Sequence, residues 1–182
     1  EAGIAAIVYK SLFEEQVQLE SLQLIEELSE YEERSAEMAR IFPSLEHAGT
    51  KEHLLNLRKM KEMTTIPVIG SLNAVYEPTW VEYARELEKT GIDGLEINLY
   101  AIPGYFEIDG KSIEERQVEI VKSVRQAVRI PVSVKISPFY TNTLNFVKLV
   151  MHPPPDYRRR MFFLGRGEPN FMKIVLLLKQ KH

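Results

Sequence analysis

Short apolar runs alternate with longer amphipathic stretches along this chain. Ile4–Tyr9 (IAAIVY) is apolar, β-branched and flanked by Gly3 and Lys10, which reads as a buried strand. Phe13–Arg40 carries Leu19, Leu22, Ile25 and Leu28 at helical spacing, with no Pro or Gly before Pro43. That predicts one long helix, or two broken near Tyr31. Phe42–Thr50 reads as loop. Thr50 then opens a helix running to Met63, with Glu52 in its first turn. Ile66–Leu72 (IPVIGSL) is a second strand, with Pro67 near its start, where a missing N–H is tolerated. Pro78–Lys89 is a helix with Pro in its first turn, and Gly91 ends it. Leu95–Leu99 is a third strand and Ile102–Gly110 a loop. Ser112 and Glu115 form a capping-box pattern at the head of a helix to Val128. Ile130–Ile136 (IPVSVKI) is a fourth strand, and Asn142–Leu149 begins another helix.

Strand and helix thus alternate four times. The strands read as apolar on both faces, as parallel strands covered by crossover helices are. Right-handed βαβ units and a parallel sheet follow. Two kinds of helix-to-strand junction recur. Thr65-Ile-Pro-Val and Arg129-Ile-Pro-Val lie 64 residues apart; Ala2-Gly-Ile and Thr90-Gly-Ile lie 88 apart. Junctions used in alternation suit a repeating (β/α) barrel. No GxGxxG follows any strand, so a dinucleotide-binding open sheet loses its main support.

Length modifies this picture. The chain has 182 residues, whereas a closed (β/α)8 barrel takes about 250 and seldom fewer than about 200. The expectation is an α/β chain holding part of a barrel. It begins with Glu1 on an apolar run without a signal-peptide pattern, which reads as a missing start.

Charge divides the chain near Val150. Residues 1–150 hold 16 Lys and Arg against 24 Asp and Glu, a net of −8. Residues 151–182 hold seven against two, a net of +5, and contain four of the ten prolines. The expected organisation is a partial barrel over 1–150 and a basic, Pro-rich tail or unrelated segment over 151–182.

Composition narrows the chemistry. There is no cysteine, hence no disulfide, thiolate metal site or cysteine nucleophile. The longest apolar runs, such as Ile174–Leu178, fall far short of the roughly 18 residues of a membrane span. His47, His53, His152 and His182 lack metal-ligand spacing, and His53 reads as a surface or packing residue. Glu14-Glu15 and Glu32-Glu33 read as solvated helix faces. Arg158-Arg159-Arg160 beside Tyr157 is too small a basic cluster to argue for nucleic acid.

The strand ends carry the remaining signal. In a barrel, chemistry sits at the C-terminal ends of the strands. Here those ends are Lys10-Ser11, Ser71-Leu72-Asn73, Glu96-Ile97-Asn98 and Lys135-Ile136-Ser137. A lysine within Val132–Ile136 is costly unless it meets an anion or an acceptor. Two ammonium groups and two carboxamides suit a planar, electron-rich, anionic ligand.

At these same positions the chain resembles the dihydroorotate dehydrogenase family of FMN-dependent (β/α)8 barrels. The stretches that carry the resemblance are AAIVYKSLFEEQ (5–16), IPVIGSLN (66–73), WVEYARELEKTGIDGLEINLY (80–100), IVKSVRQAV (120–128) and IPVSVKISPFY (130–140). They appear in family order and correspond to barrel strands 2–5. The resemblance implies that Lys10 and Ser11 contact FMN, with Lys10 also near substrate. It implies that Asn73 lies beside the flavin and that Asn98 contacts flavin and substrate. It implies that Lys135 places its ammonium near the flavin edge that gains charge on reduction. The implied activity is an FMN-dependent oxidoreductase resembling dihydroorotate dehydrogenase, of the pyrimidine-biosynthesis type. It would be cytoplasmic, act on a small molecule and bind neither nucleic acid nor membrane. A homo-oligomer is compatible with it.

Two departures qualify that picture. The family base, a Cys or Ser three residues after the Asn matching Asn98, is Ala101 here, and the Asn two further on is Pro103. Residues 151–182 do not resemble strands 6–8, whose loops would grip phosphate, apart from a short strand at Ile174–Leu178. Two alternatives therefore stand beside the oxidoreductase fragment. One is an inactive truncated barrel associating through open sheet edges. The other is a phosphate-binding barrel lyase using Lys135 as a Schiff-base lysine.

Overall fold

The computed structural model describes residues 3–19, 22, 48–100, 106–137, 140–151, 157–164 and 173–180, the last two stretches by backbone alone. Four parallel strands lie side by side in chain order: β1 (Ile7–Phe13), β2 (Val68–Asn73), β3 (Gly94–Leu99) and β4 (Val132–Ile136). Between them run α1 (Ala48–Met63), α2 (Glu77–Lys89) and α3 (Gly110–Ala127), and α4 (Thr143–Met151) follows β4. Sequential order without reversal is the order of a barrel, not of a doubly wound sheet. The fold is α/β, with a partial (β/α) barrel of four strands and an atypical C-terminal segment.

That segment forms β5 (Tyr157–Leu164) and β6 (Lys173–Gln180), an antiparallel pair. β6 lies against β4, also antiparallel, with Val132 opposite Leu178, so the sheet order is β1-β2-β3-β4-β6-β5. The short strand expected at Ile174–Leu178 is the middle of β6. A complete barrel would place a parallel strand beside β4. Here the antiparallel pair occupies that edge, so the open edge expected after the fourth strand is filled.

Register explains the layering. Leu72, Ile97 and Val134 stand abreast across β2, β3 and β4, as do Gly70, Leu95 and Val132. They share one face, and it carries the helices. A Cβ built on Gly70 would lie 2.8 Å from Ile92 Cδ1 and 3.6 Å from Leu57 of α1 and Leu87 of α2. The helices answer with apolar stripes of period 3.6. Trp80, Tyr83, Ala84 and Leu87 are buried on α2; Val118, Val121 and Val124 on α3; Phe146, Val147 and Val150 on α4. α2 packs beside α3 and α3 beside α4.

The opposite face departs from the expectation of strands apolar on both sides. Ser71, Glu96 and Ser133 stand abreast on it, and Asn98 and Lys135 one step further along. Period-2 alternation in VIGSLN, GLEINL and VSVKI separates the two faces.

Several boundaries move, each for a local reason. β1 begins at Ile7, not Ile4, and continues through the polar pair Lys10-Ser11 because β2 supplies its ladder partners. Thr50 is buried inside α1, which already begins at Ala48, so it is no cap. Asp109 caps α3, accepting from Ser112 N at 2.6 Å, and Ser112 lies inside that helix. α2 ends as expected at Gly91, whose φ of 86° suits glycine. Asn142 Oδ1 accepts from Asn145 N at the head of α4. Of the helix expected over Phe13–Arg40, residues 14–19 are helical and most of the remainder lies outside the described residues.

Glu14 is the largest correction to a side chain. It is only 3% exposed, not a solvated face. Its carboxylate accepts from Val75 N (2.6 Å), Tyr76 N (3.2 Å), Thr79 Oγ1 (2.9 Å) and Gln18 Nε2 (3.2 Å). Tyr76, the N-cap of α2, offers no side-chain cap of its own, so a carboxylate from the β1 side takes that role, where the helix dipole also favours it. Glu15 is exposed as expected; Glu32 and Glu33 lie outside the described residues.

Candidate functional site

The candidate site occupies the polar sheet face toward the C-terminal ends of β1–β4. Parallel pairing puts these ends together, and register sets the neighbours. Ser11 stands opposite Ser71, Phe13 opposite Asn73 and Asn98 opposite Lys135.

Asn98 is the most connected of the expected residues. It is 4% exposed. Its Nδ2 donates to Ser71 Oγ at 3.0 Å, and more weakly to Ser11 Oγ at 3.3 Å and Leu72 O at 3.4 Å. Ser11 Oγ and Ser71 Oγ lie 2.7 Å apart. Three strands are therefore joined by one polar cluster. Among the described residues, Asn98 Oδ1 and Asn73 Oδ1 are buried without a hydrogen-bond partner. A buried acceptor left unmatched is expensive in a native protein and marks a place where a donor belongs.

Lys135 is partly buried, with Nζ 5.7 Å from the centre of the Tyr100 ring. That is within cation–π range. The hydroxyl of Tyr100 titrates above its ordinary range, chiefly because it is desolvated and secondarily because of the Glu96 charge. Glu96 itself is buried on the same face.

Lys10 is placed differently from the other four. Between Val8 and Ser11 the β1–β2 register slips by one residue, a bulge at Tyr9-Lys10. Lys10 is exposed there and lines a cleft of about 180 Å3 with Ser11, Gln16, Glu52, His53 and Asn56. Ser11 thus borders both the cleft and the Asn98 cluster. His53 is packed, edge-on to Tyr9 at 5.1 Å between ring centres. Burial, helped by the nearby Lys10 charge, pushes its pKa down to about 4.

The structure brings Ser11, Asn73, Asn98 and Lys135 to one face, together with Ser71 and Glu96 of the same strand ends and with Ser133, which sequence reading missed. The signal was available: Ser133 alternates with the apolar residues of its own strand. Ala101 and Pro103 lie outside the described residues. No group of three or more His, Asp or Glu able to hold a metal occurs among the described residues.

Comparison with known proteins sets this geometry beside characterised relatives. No family model matches the chain. The chain is 26% identical over 117 residues to the catalytic subunit of dihydroorotate dehydrogenase B (NAD(+)) of Methanocaldococcus jannaschii, covering 62% of this chain and 38% of that protein. It is 27% identical over 108 residues to the corresponding subunit of Thermoplasma volcanium, covering 58% and 34%. The matched part spans little more than a third of each relative's length. The chain has a distant, partial similarity to the dihydroorotate dehydrogenase B catalytic subunit.

Proposed function

We infer that this chain forms part of the flavin pocket of a dihydroorotate-dehydrogenase-like oxidoreductase, with FMN as the cofactor and a small organic molecule as substrate. The observation that carries this reading is the buried polar face at the strand ends. It pairs two orphan carboxamide oxygens, on Asn73 and Asn98, with the Lys135 cation. That donor and acceptor set fits an electron-rich ring system bearing both N–H and carbonyl groups. The distant similarity to dihydroorotate dehydrogenase catalytic subunits supports it, and the comparisons favour neither the inactive-barrel nor the lyase alternative.

When bound, FMN would supply two-electron transfer. Asn98 and Asn73 would orient the ring through their free oxygens, and Ser11 through its hydroxyl. Lys135 would hold positive charge where the reduced ring gains electrons, stabilising that state. Lys10, exposed at the bulge, would reach from the rim toward substrate. Position 101 is Ala, so this chain offers no base there to remove a substrate proton. The substrate in this reading is a small molecule whose oxidation does not depend on that base. A cytoplasmic location belongs to the same reading. Among the described residues no helix is long and apolar enough to cross a membrane.

Equilibrium titration of the purified chain with FMN tests the reading. Flavin fluorescence should be quenched at one equivalent, and Lys135→Ala should weaken binding about tenfold without changing the circular dichroism. Unaltered free-flavin emission at saturating protein would overturn it.

A further inference from the structure

Ser71 sits in the middle of β2, 2% exposed, abreast of Ser11 on one side and Glu96 on the other. The Asn98 amide turns its NH2 end toward Leu72 O at 3.4 Å, a carbonyl that can only accept, and toward the two serines, so that Oδ1 faces away. Ser71 Oγ accepts from that NH2 at 3.0 Å. Ser71 Oγ and Ser11 Oγ lie 2.7 Å apart, and either can donate to the other. Of the two hydroxyls, that of Ser71 is the nearer acceptor for the Asn98 amide, at 3.0 Å against 3.3 Å.

The geometry points to Ser71 as a positioning residue of the flavin pocket. It fixes Asn98 Oδ1 as an acceptor toward the ligand. This rests on the reading that the polar face takes FMN, but the orientation itself belongs to the chain alone. Ser71 acts through Asn98. Without it, the Asn98 amide would lose its nearest acceptor.

The test uses the full chain and two readouts. In the first, without flavin, the Asn98 side-chain amide protons are followed by 15N–1H NMR. Their exchange with solvent should be at least tenfold slower in the wild type and in Ser11→Ala than in Ser71→Ala. In the second, FMN affinity by fluorescence should fall about tenfold in Ser71→Ala, with thermal unfolding still cooperative. Ser71→Cys, nearly isosteric and a weak hydrogen bonder, should show the same two losses and carries the test should the alanine variant not fold. Unchanged Asn98 exchange in the Ser71 variants would overturn the proposal. So would equal FMN affinity in wild type and both variants. Failure of the wild type to bind FMN would overturn the flavin reading, and the exchange readout would still decide the role of Ser71.

Discussion

Glu14 shows how a single side chain can tie two elements together. Its carboxylate bridges the end of β1 to the head of α2 through two backbone N–H groups and the Thr79 hydroxyl. Replacing it by Ala removes the acceptor these part-buried contacts share. By the usual cost of lost charge-assisted bonds, Glu14→Ala should lower unfolding stability by about 2–3 kcal/mol, read as a lower urea midpoint. A midpoint within error of wild type would contradict the capping role. His53 makes a pH-dependent contribution of known sign. Unfolded, its imidazole titrates near 6.5; folded, near 4. Between those values the unfolded chain binds the extra proton, so this contribution to stability is full above about pH 6.5 and is lost as pH falls toward 4. His53→Gln should flatten that part of the stability profile, measured by urea unfolding from pH 4.5 to 7.5. An unchanged slope would rule His53 out as its source. Neither role was legible from residue type. A Glu-Glu pair at a helix start usually faces water, and only the fold brings Val75 and Tyr76 to it.

At the scale of elements, the sequence carried the order and kind of β1–β4 and α1–α4, because local periodicity specifies them, and carried no signal for β5. It carried their ends less well. β1 extends past Lys10 because β2 supplies ladder partners on both sides of the bulge, Ile69 for Val8 and Ser71 for Ser11. The cap of α3 is Asp109, three residues before the serine whose capping-box pattern suggested otherwise. Gly70 is a constraint that pattern alone did not reveal: the Ile92, Leu57 and Leu87 side chains close over it. Gly70→Ala should cost about 1–2 kcal/mol through overpacking, because Ile92 Cδ1 must move aside. Thermal unfolding checks this, and a variant as stable as wild type would show that Ile92 re-packs freely. The four strand ends were legible as a polar set. That they form one face is not visible in strands that read as apolar on both sides. The partners of Asn98 depend on inter-strand register, which no single strand encodes.

For the whole molecule, the formal charge of −3 conceals an acidic partial barrel and a basic C-terminal stretch. The composition break near residue 150 coincides with a change of topology, from parallel βα units to an antiparallel strand pair laid against β4. Nothing in the residues after 150 indicated which edge they would join, because strand pairing is a long-range choice. A chain ending at Met151 would bare the β4 edge, and bare edges promote association. Such a truncation should sediment at higher mass, or unfold at lower urea, than the full chain. Identical sedimentation and unfolding would mean that β6 contributes little to the sheet.

The central claim is that the polar face, not the β1–α1 cleft, is where FMN would sit. Mapping 15N–1H shifts of the full chain during FMN titration addresses it most directly. The account predicts saturable changes centred on Ser11, Asn73, Asn98 and Lys135, with Glu52 and Asn56 little affected. Changes confined to the cleft around His53, or none at all, would contradict it.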